Sequence, residues 1–259
     1  DEEGYQALAY EEIAQDGEFT SHLVQDRYSL RCAPQVLGPV HDTLDLIGRW
    51  IETEMNGVSD NPLFDRGERL ANGGNFYGGY LTHAMDYLKI CMANVADLVD
   101  RQIMLLISDK TNRGLTPNLA DWEGVDKAQR HLYHGLKGVH QNLSAITAEI
   151  MAKTTPNSIF SRSSESHNQD KVSLGMSAAI QCADQLETML TVITCALCCL
   201  AQALDLRKIQ LKGPASRRYY ALVREHIAFV RRDTRLDGGL ARLRQALLRD
   251  TREQARALC

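Results

Sequence analysis

From Thr188 to Leu204 the chain carries no charged residue. Within this run, Val192, Ile193, Cys195, Ala196, Leu197, Cys198, Cys199 and Leu200 leave no polar face on a helix. A helix apolar all round is stable only when other helices surround it. The run is slightly short for a membrane span and includes Thr188, Thr191, Thr194 and Gln202, so it reads as the core helix of a large bundle. The whole tract, from about Asp170 to Arg207, would be about 57 Å long at ~1.5 Å per residue. One chain of 259 residues has few elements with which to surround such a rod. Contact with neighbouring subunits is the natural solution.

The remaining sequence is helical in character too. Proline removes a backbone donor and collides with the preceding turn, so it marks joints. The six prolines are Pro34, Pro39, Pro62, Pro117, Pro156 and Pro214. Between them lie tracts from about Gln35 to Met55, Gly78 to Ser108 and Val125 to Lys153. In the second, Leu81, Met85, Leu88, Met92, Val95, Val99 and Ile103 recur at three- and four-residue steps. Two shorter helices are expected near Ser216–Arg232 and Gly239–Leu258, and alternating strand patterns are essentially absent. The expected fold is all-α, a bundle of long helices. It divides into a leading segment (1–22), a central helical bundle (23–206) and C-terminal helices (207–259).

A formal net charge of −4 with mixed signs offers no concentrated cationic face for nucleic acid. Only the tail is locally basic, at Arg217, Arg218, Arg231, Arg232, Arg242 and Arg244, and acidic residues punctuate it, as on a solvated helix surface. Seven cysteines without regular spacing read as buried thiols in a reducing, cytoplasmic compartment. Asp1 to Asp16 is acidic and shows neither the cationic nor the apolar region of a secretory signal. No metal site is expected. Cys195-Ala196-Leu197-Cys198 has no second ligand pair, and no carboxylate completes a set with His131, His134 and His140.

Four segments hold polar groups that sit less comfortably in a purely structural account. In Gln25-Asp26-Arg27-Tyr28-Ser29-Leu30-Arg31-Cys32-Ala33-Pro34-Gln35-Val36-Leu37-Gly38, Tyr28 and Arg31 share a face of one helical turn, with Gln25 a turn earlier. A guanidinium so placed can grip a carboxylate through two parallel hydrogen bonds, although an exposed helix start would show the same spacing. Gly57-Val58-Ser59-Asp60-Asn61-Pro62-Leu63-Phe64 reads as a turn. In Asn72-Gly73-Gly74-Asn75-Phe76-Tyr77-Gly78-Gly79 the glycines suit either close approach to a ligand or a loop before a helix. In Ser161 to Gly175, Glu165, Asn168 and Gln169 would share a face if the long helix has begun by Glu165; a capping cluster is the alternative.

Taken in this order, the four segments resemble the histidine, phenylalanine and tyrosine ammonia-lyase family and its related aminomutases, from about Leu23 to Leu206. The Gln-Asp-x-Tyr-Ser-x-Arg-Cys-x-Pro-Gln-Val-x-Gly and His-Asn-Gln-Asp-Lys-Val-Ser stretches carry most of the likeness. The resemblance implies an electrophilic methylidene-imidazolone (MIO) made from an internal Ala-Ser-Gly, because an amino group is a poor leaving group and a β-hydrogen is barely acidic. It implies that Arg31 holds the substrate carboxylate and that Tyr28 lies beside the MIO and assists proton movement around the amine. Asn61 would hydrogen-bond near the carboxylate and the MIO, and Phe76 would pack against both. Glu165 would accept from the amine, with Gln25, Asn168 and Gln169 in support. Asn168-Gln169-Asp170, where histidine lyases read Gln-Glu-Asp, is similar to the phenylalanine/tyrosine branch.

One departure from the family pattern is large: these 259 residues contain no Ala-Ser-Gly, Ala215-Ser216-Arg217 being the nearest. The family's lid tyrosine is missing as well. The expectation is a chain that contributes substrate-binding groups while the MIO comes from an N-terminal segment or partner subunit, within a tetramer-like assembly. The other expectation is a non-catalytic scaffold or regulatory subunit of the same descent.

Overall fold

A computed structural model describes residues 25–65 and 69–258. The leading segment 1–22 lies outside the described residues. Among the described residues seven α-helices follow one another: α1 (Tyr28–Arg31), α2 (Ala33–Asn56), α3 (Gly79–Ile107), α4 (Lys137–Ala152), α5 (Gly175–Arg207), α6 (Pro214–His226) and α7 (Asp237–Leu258). The all-α expectation holds, with one addition. Between α2 and α3, strands β1 (Leu63–Asp65) and β2 (Arg69–Ala71) pair antiparallel, Leu63 opposite Ala71. Three-residue strands are too short to produce a visible alternation in sequence.

Three helix boundaries differ from expectation. The tract from Val125 is not one helix, for only Lys137–Ala152 is α-helical and Lys127–Leu132 forms a 3-10 turn. Gly135 stands between them at φ +52°, and a Cβ there would lie 2.6 Å from the carbonyl oxygen of Asn118. The Asp233 carboxylate receives the N–H groups of His134 and Gly135, so the break is fastened from outside. α5 starts at Gly175, not Asp170, because Leu174 adopts φ +61° and the residues before it pair with one another. Its 33 residues span about 50 Å. The first tail helix ends at His226, with the N–H of Ile227 closing on the Val223 carbonyl at 2.8 Å.

The chain forms two compact units. The first comprises residues up to Ala33, Leu98–Ala145 and Leu190–Cys259. Its core includes Ile103, Leu119, Leu136, Leu143, Val192 and Leu243, with Cys195, Cys198 and Cys199 packed among them. Burial pushes the Cys198 thiol up to about 12 and Cys199 well above its ordinary value, so neither supplies a thiolate near neutral pH. Gln202, fully buried, donates to the carbonyls of Val230 and Leu119 and accepts the Val230 N–H at 3.0 Å.

The second unit comprises Pro34–Asp97 and Ile146–Met189. Trp50 of α2 meets Tyr80 and Tyr87 of α3, with ring centroids 5.5 and 5.8 Å apart. Beneath lies a charged pair with almost no exposure, Lys89 and Asp86, separated by 3.1 Å. The Asp86 carboxylate accepts the N–H groups of Asn157 and Ser158, both at 2.9 Å. Lys89 donates to the Thr155 carbonyl and to Gln181, which also accepts from the Asn157 amide. Gln185 completes the network, donating to the Ile150 carbonyl and the Thr154 hydroxyl. Side chains of α3 and α5 thereby hold the backbone where it leaves α4, which fixes the start of the segment leading to Glu165.

α5 is long and apolar enough to cross a membrane by length and composition. Its buried Gln185 and Gln202 instead serve neighbouring backbone in the two units, as in a core helix. Among the described residues, Met176, Ile180, Leu186 and Leu200 of this helix are exposed.

Removing one partner of a buried pair strands the other, so Lys89→Met is expected to cost about 3–5 kcal/mol of unfolding free energy. The double variant Asp86→Leu/Lys89→Met should cost less than the two single losses added. Urea unfolding of the four proteins checks both statements. Burial works to raise the Asp86 carboxyl, but the two N–H groups and Lys89 outweigh it and hold it below its ordinary value. Its share of stability should therefore be complete above about pH 4 and fade as pH falls further, a fade absent from the double variant.

Candidate active site

The nominated residues divide between the units. Gln25, Tyr28 and Arg31 belong to the first. As the spacing predicts, Tyr28 and Arg31 occupy one helical turn, and the guanidinium carbon lies 4.8 Å from the Tyr28 ring centroid. Arg31 also donates to the Gln25 side-chain oxygen, so the three side chains form one group. Two anchors fix this turn. Gln102 of α3 donates to the Ser29 carbonyl at 2.8 Å, and Asp26 pairs with Arg113 at 3.1 Å. Tyr28 is nonetheless 71% exposed, an unusual state for an aromatic side chain fastened by its own turn.

Asn61, Phe76, Glu165, Asn168 and Gln169 belong to the second unit. Asn61 follows Asp60, whose carboxylate accepts its N–H at 2.8 Å. The Asn61 side-chain oxygen accepts the Gly73 N–H at 2.9 Å and pins the far side of the β1–β2 hairpin. Phe76 sits in a 3-10 turn (Asn75–Tyr77) just ahead of α3 and is 56% exposed.

The segment carrying Glu165 differs from the sequence expectation. The long helix has not begun there, Glu165–His167 forming only a 3-10 turn, so Glu165, Asn168 and Gln169 do not share an α-helical face. Ser164 and Gln169 pair across an antiparallel bridge, and Glu165, Ser166 and His167 all take positive φ, at 49°, 52° and 69°. Side chains hold this tight loop. The Asn168 amide donates to the Glu165 carboxylate at 3.0 Å, Ser163 bonds His167 at 2.8 Å, and the Ser161 hydroxyl accepts the Val172 N–H at 2.9 Å. Glu165 and Asn168 are thus partners, through loop geometry and not through helical spacing.

Asn61, Phe76, Asn168 and Gln169 line a single cavity of about 650 Å³, together with Asp60, Tyr77, Lys171 and Ser173. The last four were not nominated from sequence. Asp60 and Tyr77 adjoin nominated residues, Lys171 and Ser173 follow Gln169 by two and four, and membership of the same segments is the signal that could have found them. The lining presents amide donors, one ammonium, the Asp60 carboxylate and two aromatic rings. That mixed set fits a group carrying both charges, or a carbonyl-rich one, with an apolar edge. Among the described residues no histidine lines it; His140 stands 3.5 Å from Asp100 and His134 3.5 Å from Asp233. Among the described residues no three metal-ligating side chains gather.

A family model described as aromatic amino acid lyase matches residues 4–225. Tyrosine ammonia-lyase of Cereibacter sphaeroides is 36% identical over 232 residues, covering 88% of this chain and 43% of that protein. Histidine ammonia-lyase of Natranaerobius thermophilus is 32% identical over 226 residues, covering 87% and 43%. Among solved structures, the phenylalanine aminomutase of Pantoea agglomerans superposes with a TM-score of 0.83 at 32% identity, covering 94% of this chain and 47% of that one. The chain therefore spans less than half the length of these relatives.

A left-handed backbone costs a side-chain-bearing residue about 1–2 kcal/mol, most of all a β-branched one. Ser166→Val is expected to lower unfolding free energy by about that amount, whereas Ser166→Gly should not. Thermal or urea midpoints of the two variants decide whether the Glu165 loop has this conformation in solution.

Proposed function

We propose that this chain, which belongs to the aromatic amino acid lyase family, supplies the substrate-holding half of an ammonia-lyase or 2,3-aminomutase site acting on tyrosine or phenylalanine. The observation that carries the reading is the second unit's cavity. Asn61, Phe76, Asn168 and Gln169 converge on it, and Glu165 bonds to one of them. Such a set of exposed amides and a carboxylate suits a zwitterionic amino acid beside an apolar ring.

Each side chain then has a physical task. Arg31, its guanidinium planar and permanently charged, binds the substrate carboxylate through paired hydrogen bonds. Glu165 accepts from the substrate amine. The Tyr28 hydroxyl takes part in moving protons near that amine, and Arg31 stacks on its ring. Asn61 and Asn168 donate to carboxylate or carbonyl oxygens, and Phe76 walls the site. The MIO, when present, supplies the electrophile that makes the amine a leaving group, and Asn61, Phe76, Gln25 and Gln169 would surround it. Its Ala-Ser-Gly precursor would come from an N-terminal segment or partner polypeptide. Exposed apolar side chains on α2 (Leu37, Leu44, Met55) and α5 (Met176, Ile180, Leu186) support association with further polypeptide, including other copies. Lyase and aminomutase outcomes differ in how long product is retained, a property of a closing lid.

A scaffold reading draws on the missing Ala-Ser-Gly. The two separate cleanly. Combined with the Ala-Ser-Gly-bearing segment, the chain should convert phenylalanine or tyrosine to a product with cinnamate- or coumarate-type absorbance, or to a β-amino acid seen by mass. Arg31→Ala should then lower kcat/KM by about 2–4 kcal/mol of transition-state binding, roughly 30- to 1000-fold. Turnover indifferent to Arg31→Ala would leave only the scaffold.

A further inference from the structure

The basic tail plays no part in the site proposed above. From Arg207 to Cys259 there are fourteen lysines and arginines against five aspartates and glutamates, while residues 1–206 hold fifteen against twenty-eight. Several tail cations are neutralised locally. Arg224 meets Asp205 at 2.6 Å, Arg235 meets Asp237 at 2.8 Å, Arg231 lies 3.6 Å from Asp121, and Arg218 pairs with Asp250.

α7 differs. Arg242, Arg249, Arg252 and Arg256 are all exposed, and none forms an ion pair among the described residues. Spaced by seven, three and four residues, at ~100° per residue they fall within an arc of about 80° and extend over ~21 Å. Glu253 borders this arc without pairing to any of them. The opposite face is occupied, for Leu243, Ala246 and Leu247 are buried. A helix whose apolar side is already engaged has nothing to insert into a lipid surface. Like charges three and four residues apart repel, so an anionic partner along this stripe would relieve a standing cost.

The same chain contains a matching anion. Asp1, Glu2, Glu3, Glu11, Glu12, Asp16 and Glu18 place seven carboxylates within eighteen residues that include no lysine or arginine. We propose that the arginine stripe of α7 is a docking surface for this acidic segment, Asp1–Glu18, of the same chain. Tethering favours it over free anions by raising its effective concentration. Opposed charge in a largely exposed setting makes the contact strong at low salt and weak at high salt.

The full chain carrying Arg249→Lys and Arg252→Lys keeps the charge and adds amines at two points of the stripe. A zero-length carbodiimide should join those amines to carboxylates between Asp1 and Glu18 at ~20 mM salt. At ~0.5 M salt, where the screening length drops to a few ångströms, the products should fall several-fold. A mixture of isotope-labelled and unlabelled chains should give cross-links only within like-labelled chains. Three results would each overturn the proposal: no product involving residues 1–18, products joining labelled to unlabelled chains, or yields indifferent to salt. Retention of a single-stranded oligonucleotide at ~150 mM salt, abolished by changing the four arginines to glutamate, would assign the stripe to nucleic acid and overturn it equally.

Discussion

Gln185 and Gln202 stand near the two ends of the apolar stretch of α5, each almost wholly buried. The rest of the fold depends on how they are used. A glutamine amide taken from water without partners costs several kcal/mol on transfer scales, so a buried one must bond what surrounds it. Gln185 holds the end of α4 through the Ile150 carbonyl and Thr154 hydroxyl, beside the Asp86–Lys89 pair. Gln202 closes a reciprocal pair of bonds with Val230 beyond the tail helix α6. An otherwise apolar rod, free to slide or rotate in a greasy core, is thus given a register in each unit.

Registration has a chemical consequence in the second unit. The pinned backbone at 154–158 is the root of the segment that carries Glu165, and the loop at its tip is closed by short side-chain bonds. Three successive left-handed residues there are costly and persist only where neighbouring contacts impose them. The cost is borne at the place where a carboxylate must point in a defined direction. Phe76 and Tyr28, by contrast, are well anchored through their backbones yet largely exposed. Groups held in place but left open to solvent are consistent with the proposed site, which further polypeptide would complete.

Much of this was legible in the sequence. The apolar run, the proline joints and the three- and four-residue periodicity located the long helices, because helix periodicity survives over many residues. Tyr28 and Arg31 came together because they are three residues apart on a single turn. Other features were hidden for physical reasons. The break at Gly135 depends on a carboxylate far along the chain, Asp233, and the start of α5 depends on left-handed Leu174. Glu165 and Asn168 meet through a turn that their spacing also permits in a helix, so the contact was foreseeable and its cause was not. By residue type alone, a lysine such as Lys89 belongs at the surface of a helix. Only tertiary structure reveals that its ammonium bonds a carboxylate, a carbonyl and an amide in the core.

The central claim is that these exposed polar groups are completed by polypeptide bearing Ala-Ser-Gly. Intact-mass and subunit analysis of the purified native assembly tests it most directly. The expected result is a polypeptide containing Ala-Ser-Gly, lighter than its sequence by two waters, joined to or bound in fixed ratio with this chain. An assembly in which every polypeptide shows its full sequence mass, with no such dehydration, would contradict the account.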